Sequence, residues 1–155
     1  MIRKLISLGE GCDVAYQLRQ HSGDNIAHYF DWLSTPAEGL LHVIRHDFPR
    51  YARENLSLHN ADDPKGYVAD AATCIHFHHH FPRRARLLSK DFLSAYESFA
   101  EKFEFLAARF RETVRTHPVC FVRSAISRTQ VIQLEEGMRG VFRGAHMRFI
   151  YVVPV

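Results

Sequence analysis

The chain has 155 residues, a formal net charge of +3 and only three cysteines, and 46% of its residues are hydrophobic. These totals predict one globular domain, residues 1–155, whose core needs no disulfide framework. No apolar run approaches the roughly 18 residues of a membrane span, and the N-terminal MIRKLISLG is too short for a signal peptide, so we expect a cytoplasmic protein with no membrane partner.

Hydrophobic periodicity and turn residues divide the chain into strands and helices. In chain order they predict a strand at 4–9 and a helix from Cys12 to the turn at 21–25. The segment 37–52 carries a second helix, which is entered at Pro36 and ends around Pro49. A surface loop at 55–66, a strand at 67–81, a long helix at 89–117, a strand at 118–125, a helix at 127–144 and a strand at 147–155 follow.

Strands separated by helices are typical of an α/β fold with parallel strand pairing. We therefore expect a three-layer α/β sandwich with a mostly parallel sheet, Rossmann-like or flavodoxin-like. The sequence ends in the apolar strand 147–155 without a polar tail, which is also the pattern of a chain truncated at its C-terminal end.

The segment SLGEGC places Cys12 where the first strand passes into the first helix. In parallel α/β sheets, active sites form beyond the carboxyl ends of the strands. Gly9 and Gly11 permit a tight turn with open amide groups that can bind an oxyanion, and a helix N-terminus lowers the pKa of a thiol. These features suit a nucleophilic cysteine, but a cysteine at such a turn is more often a small residue packed under it. An anion-binding loop is a further alternative. Cys74 and Cys120 lie in apolar runs, where we expect buried side chains.

Eleven histidines are present, and four of them lie within HFHHH at 76–80. If the predicted strand 67–81 is continuous, side-chain alternation separates these residues into two groups. One face then carries Ile75, Phe77, His79 and Phe81, and the other carries His76, His78 and His80.

A thiol mechanism needs a base within hydrogen-bond reach and a third group that orients the base. His79 is the best candidate for the base, because its face of the strand points into packed surroundings that would fix the ring. Asp31 is the best candidate for the orienting group. The alternatives are a core histidine and a carboxylate that caps a turn.

A metal site is a rival interpretation of the histidine cluster. His76, His78 and His80 would need a further ligand, which Cys12, His28 or Asp31 could supply. The sequence lacks the paired-ligand spacing of a strong zinc motif, so we expect no metal and no cofactor.

Three other features bear on ligands. Trp32, beside Asp31, could line a substrate pocket, although aromatic residues near a turn are more often part of the core. Arg123 ends a predicted strand and could bind a carboxylate or phosphate, or form a surface ion pair. The basic run FPRRARLL at 81–88 could contact phosphate, but such clusters are usually solvated, and we expect no nucleic-acid partner.

Five segments occur in one order along the chain: ISLGEGCDVAYQLRQ at 5–19, FDWLSTPAEGLLHVIRHDF at 30–48, FHHHF at 77–81, EKFEFLAARF at 101–110 and CFVR at 120–123. In this order they resemble the bacterial family of unknown function described as putative papain-like cysteine peptidases. The resemblance implies that Cys12 is the nucleophile and that His79 is the histidine of the third motif, and it places Asp31 in the Phe-Asp-Trp segment. The chain departs from the family pattern at His80, where the pattern has aspartate.

Together these observations predict thiol-dependent hydrolysis or acyl transfer on a peptide, amide or ester. Cys12 would attack, His79 would act as general base, Asp31 would orient the base, and amides near Gly11 would bind the oxyanion. The alternative from another class is a non-catalytic binding module, in which the glycine turn and Arg123 hold an anionic glycan or nucleotide-like ligand. A metal-dependent hydrolase is a third possibility. No pattern indicates an oligomeric state.

Overall fold

The computed structural model describes residues 3–124 and 126–153, and its strands form three sheets. In chain order the elements are β1 (Lys4–Ser7), α1 (Cys12–Ser22), β2 (Leu33–Ser34), α2 (Ala37–Arg45), β3 (Leu56–His59), β4 (Tyr67–Asp70), β5 (His76–Phe77), β6 (Arg83–Arg84), β7 (Leu87–Leu88), α3 (Tyr96–Thr116), β8 (Val119–Ser124), α4 (Arg128–Val141) and β9 (Met147–Val152). The prediction of a mixed α/β fold is confirmed.

The first sheet is parallel and has β8 between β1 and β9. The sequence VCFVR of β8 is buried throughout, which is typical of a strand covered on both faces. Ile6 of β1 lies opposite Phe121 of β8, so both strands end at the same edge of the sheet. The backbone N–H of Leu8 donates to the Val122 carbonyl at 3.0 Å, and this bond carries the pairing into the turn before α1.

The prediction of one strand over 67–81 is wrong. The carboxylate of Asp70 accepts hydrogen bonds from the backbone N–H and the hydroxyl of Thr73, at 2.9 and 2.7 Å, and these bonds close a turn that ends β4. The next strand, β5, has only two residues. The predicted loop 55–66 contains β3, which pairs antiparallel with β4. The second sheet is therefore antiparallel, in the order β2–β5–β4–β3, and the strands do not form one mostly parallel sheet.

The helices follow the predicted pattern with shifted ends. The helix predicted to end around Pro49 stops at Arg45, and Asp47 and Phe48 then adopt left-handed backbone angles, with φ of 56° and 58°. The helix predicted from residue 89 begins only at Tyr96. Among the described helices, none is both long and apolar enough to cross a bilayer. Residue 125 of one predicted strand and residues 154–155 of another lie outside the described residues.

Helix α3 connects the parallel and the antiparallel sheet through aromatic side chains. The ring of Phe110 stacks on Phe121 of β8 with centroids 5.7 Å apart, and Phe103 meets Phe77 of β5 edge-on at 5.4 Å. All four rings are buried. The end of β1 and the end of β5 are thereby held in one packed core, and the segments that follow these strands meet at the surface.

Candidate functional site

A cleft of about 690 Å³ lies where the turn after β1 meets the segment after β5 and the β6–β7 hairpin. Its lining residues are Gly11, Cys12, Asp13, Ser34, Pro64, Lys65, His78, His79, Arg83 and Arg86. Three of the predicted site residues thus line the same cleft: Gly11 and Cys12, which are neighbours, and His79, which is far from them in the sequence.

The turn before Cys12 depends on glycine. Gly9 has a φ of +79°, and a Cβ atom there would lie 2.7 Å from the Thr35 hydroxyl oxygen. The hydroxyl of Ser7 accepts a hydrogen bond from the Gly9 N–H at 3.2 Å and closes the turn. Gly11 is extended and a Cβ atom there would meet nothing within 4 Å, so its backbone faces open space in the cleft. No side chain caps α1, which leaves its first amides available to a ligand.

The thiol of Cys12 is less acidic than the sequence analysis expects. Burial, together with the neighbouring charge of Asp13, raises the pKa of Cys12 above its ordinary value. The helix amide at Cys12 acts in the opposite direction but is the smaller effect. The expected lowering of this pKa is therefore wrong, and Cys12 carries its proton at neutral pH. A thiol in this state needs a base before it can attack.

The two middle histidines of the cluster reach the cleft together, because the strand ends at Phe77 and alternation stops there. His79 is exposed, so the expectation that it points into packed surroundings is wrong. Its ring lies edge-on to the indole of Trp32, with centroids 6.1 Å apart, and 6.3 Å from the ring of His78. Partial burial and then the charge of Arg83 lower the pKa of His79. Its imidazole is consequently neutral at pH 7 and able to accept a proton.

Arg83 fixes the backbone on this side of the cleft. Its guanidinium donates hydrogen bonds to the carbonyls of His78 at 3.0 Å, Pro64 at 3.1 Å and Arg86 at 2.9 Å, and to that of Gly66. One side chain therefore holds together the segment before His79, the loop before β4 and the β6–β7 turn.

Asp31 does not line the cleft, and the structure does not bring it into contact with His79. The buried carboxylate accepts hydrogen bonds from the His28 N–H at 3.0 Å and from Arg19 at 3.2 Å. The guanidinium of Arg19 lies over the Trp32 ring, 5.0 Å from its centroid. Asp31 is thus linked to His79 indirectly, through Arg19 and the indole that the imidazole contacts.

Trp32 has a left-handed backbone conformation, with φ of 63°. This conformation is strained for a bulky residue and persists only where surrounding contacts enforce it, which is a frequent property of functional sites. Trp32 was predicted to line a substrate pocket. Trp32 is not among the residues that line this cleft, and its indole contacts the imidazole of His79 edge-on.

Arg123 is fully buried and is not available to a substrate in this structure. Its guanidinium donates to the carbonyls of Leu8 at 2.7 Å and Thr35 at 2.8 Å, and to the carboxylate of Glu10 at 2.8 Å. The end of β8 lies near the turn before Cys12, as the sequence predicts, but the Arg123 side chain lies beneath that turn and does not face the cleft. Its role is to hold the turn that precedes Cys12.

The sequence reasoning missed several residues of the cleft, including Ser34 and Lys65, and it treated Arg83 and Arg86 as part of a solvated run. The basic run at 81–88 was the one available signal. Nothing in the pattern of this run predicts that it shares a cleft with Cys12, because its position there depends on the backbone hydrogen bonds of Arg83.

The histidine cluster does not converge on one point. His76 stacks on Tyr67 with centroids 4.1 Å apart, whereas His80 packs edge-on against Phe103 at 5.0 Å and accepts a hydrogen bond from Lys102 at 3.1 Å. Within residues 3–124 and 126–153, no group of three or more His, Cys, Asp and Glu side chains is placed to hold a metal ion. This arrangement gives the metal-site interpretation no support.

Comparison with known proteins gives one family. The model of the family described as putative papain-like cysteine peptidase (DUF1796) matches residues 3–143. The matched span contains every residue of the cleft. No curated protein and no solved structure matches the chain.

Proposed function

The chain belongs to the family described as putative papain-like cysteine peptidases, and on this premise we propose that it catalyses thiol-dependent hydrolysis or acyl transfer on a peptide, amide or ester. The observation that carries the proposal is that Cys12 and His79 line one open cleft at the start of α1, where no side chain caps the helix. A nucleophile, a base and an oxyanion site are the three parts that acyl transfer requires.

The protonation states favour a base-assisted attack over a preformed ion pair. His79 is neutral because its pKa is lowered, and Cys12 is a thiol because its pKa is raised. As the sulfur attacks the substrate carbonyl carbon, His79 accepts the thiol proton and the carbonyl π electrons move to oxygen. The tetrahedral intermediate collapses when the bond to the leaving group breaks and the imidazolium gives its proton to that group.

The second half of the reaction returns the enzyme to its starting state. Water, or an acceptor nucleophile in acyl transfer, attacks the Cys12 thioester while His79 accepts its proton. The imidazolium then returns that proton to the departing sulfur. The amides of Gly11 and Cys12, at the uncapped start of α1, donate to the oxyanion in both halves.

Asp31 acts in this proposal as a positioning residue. Its carboxylate holds Arg19, which lies over Trp32, and the indole edge limits the orientations of the His79 ring. This differs from a catalytic triad, in which the carboxylate contacts the base.

A non-catalytic binding module is the second candidate, and one observation favours it. The cleft contains Lys65, Arg83 and Arg86, which suit an anionic ligand. Arg123 takes no part in this version, because it is buried under the turn.

We also propose that the parallel sheet with its helices forms the three-layer, Rossmann-like core expected from the sequence. The parallel order β1–β8–β9 and the helices between these strands support it. In that case the description papain-like applies to the chemistry of the site and not to the fold.

The proposed function is tested by mixing the protein with p-nitrophenyl acetate and mapping the acetyl adduct by mass spectrometry. We expect a burst of p-nitrophenol and an adduct on Cys12. The variants Cys12→Ser and His79→Asn should lose the burst, and the control Cys74→Ser should keep it. Acetylation confined to surface lysines, or a burst that survives Cys12→Ser, contradicts an enzyme of this kind.

A further inference from the structure

The lining of the cleft carries an excess of positive charge. Lys65, Arg83 and Arg86 face a single carboxylate, that of Asp13. The histidines do not change this balance at neutral pH, because burial lowers the pKa of both His78 and His79. The lining of the cleft that contains Cys12 is therefore net cationic.

These cations have no carboxylate partner. Among the described residues, the ion pairs include neither the Lys65 ammonium nor the Arg86 guanidinium. The Arg83 guanidinium donates to backbone carbonyls, which stabilise its position without neutralising its charge. The charge of the cleft is consequently available to a ligand.

The cations are also held in place. Arg83 binds the carbonyls of Pro64 and Gly66, on either side of Lys65, and it binds the carbonyl of Arg86 itself. A single guanidinium thus fixes the two backbone segments from which Lys65 and Arg86 project. Cations on fixed backbone segments lose less conformational freedom when they bind an anion than cations on two mobile loops would.

We propose that the cleft selects acyl substrates that carry a carboxylate close to the scissile bond, and that Lys65 and Arg86 bind this carboxylate. The inference rests on the proposed function in taking Cys12 as the reacting group. It names the substrate class as an acidic peptide, amide or ester.

Such a substrate would also assist the base. The charge of Arg83 contributes to the lowered pKa of His79. A bound carboxylate offsets that charge, so the imidazole gains proton affinity when the substrate is in place.

Two alkylating reagents of similar size test the inference without a known substrate. Iodoacetate is anionic and iodoacetamide is neutral, and the ratio of their rate constants at Cys12 cancels the fraction of thiolate. Relative to the neutral thiol N-acetylcysteinamide, we expect this ratio to be about five-fold higher at low ionic strength, since two unit charges at roughly 8 Å act across solvent. High salt should reduce the difference.

The matched variants are Lys65→Gln with Arg86→Gln for the cleft, and Arg84→Gln as control. Arg84 lies in the same hairpin and is exposed but does not line the cleft. The double variant should bring the ratio to that of N-acetylcysteinamide, and Arg84→Gln should leave the ratio high. An unchanged ratio in the double variant, or an equal loss in Arg84→Gln, overturns the inference.

The outcome also separates this inference from the proposed function. If Cys12 forms an acyl-enzyme with p-nitrophenyl acetate but the alkylation ratio does not respond, the substrate class is wrong and the chemistry stands. If the ratio responds and no acyl-enzyme forms, the cleft binds acidic ligands and is not an acyl-transfer site.

Discussion

The imidazole of His79 lies edge-on to the indole of Trp32, with ring centroids 6.1 Å apart and ring planes at 80°. His79 projects from a bent segment with an exposed side chain, and the rings of Trp32 and His78 lie next to its imidazole. The same indole receives the guanidinium of Arg19 at 5.0 Å. Trp32 therefore connects the partly buried Asp31–Arg19 ion pair to the candidate base.

Replacing Trp32 should change the acidity of His79. Partial burial lowers the pKa of this imidazole, so Trp32→Ala, which exposes the ring to water, should raise the His79 pKa towards 6.5. Trp32→Phe keeps an aromatic ring next to the imidazole and should therefore change the His79 pKa less. An NMR titration of the His79 ring protons measures both. Equal pKa values in wild type and Trp32→Ala would show that the indole does not set the environment of the base.

The two glycines of the turn should respond differently to alanine. In Gly9→Ala the new methyl group would meet Thr35 in a left-handed backbone, and we expect a loss of about 2–4 kcal/mol in the free energy of unfolding. Gly11→Ala adds a methyl group to open space and should cost less than about 1 kcal/mol.

Urea denaturation measures both changes, with the m-value as a check that the unfolded state is unaltered. Gly11→Ala should nevertheless slow acylation of Cys12, because its methyl group enters the cleft. Similar stability losses in the two variants would contradict the assigned geometry of the turn.

The local signals explain why the junction at Cys12 could be predicted. A short apolar run, two glycines and a following helical pattern all lie within β1 and the start of α1, and each acts through neighbours in the chain. The helix of α4 was predictable for the same reason. Its N-cap, Ser127, forms a reciprocal capping box with Gln130, which is a local contact.

The strand over 67–81 could not be predicted correctly, because side-chain hydrogen bonds decide its end. Asp70 and Thr73 close a turn between apolar residues, and the hydrophobic pattern continues through that turn. The faces assigned to His78 and His79 were wrong as a direct consequence. Cys74, predicted as buried, is exposed on this turn with φ of 56°.

The role of Arg123 depended on long-range contacts. Whether an arginine at a strand end faces a ligand or turns inward depends on acceptors from other segments. Here Leu8 and Thr35 supply carbonyls and Glu10 supplies a carboxylate. No sequence pattern near residue 123 indicates these partners.

Two histidines with strongly lowered pKa values should make the fold sensitive to acid. Burial lowers the pKa of His80 to about 3 and that of His28 to about 4. The unfolded chain takes up protons on these rings below its ordinary pKa of 6.5, and the folded chain does not. The free energy of unfolding should therefore fall by about 1 kcal/mol per pH unit for each ring as the pH drops from 6.5 towards 4.

Urea denaturation at several pH values tests this sign and separates the two rings. His80→Leu fills the same half-buried position without a titrating group and should reduce the slope, while His146→Gln, at an exposed position, should not. A stability that is constant from pH 6.5 to 4 in the wild type would be inconsistent with neutral buried histidines.

The central claim is that His79 removes the proton of Cys12, and the pH dependence of Cys12 acylation by p-nitrophenyl acetate tests it most directly. In the wild type, the single-turnover rate should rise through an inflection below pH 6.5, where His79 loses its proton, and then level off. His79→Asn should lack this inflection, react about 10²–10⁴-fold more slowly near neutral pH, and accelerate only where the thiol itself ionises. The control His76→Asn should keep the wild-type profile. A His79→Asn protein with the wild-type rate and inflection would contradict the account.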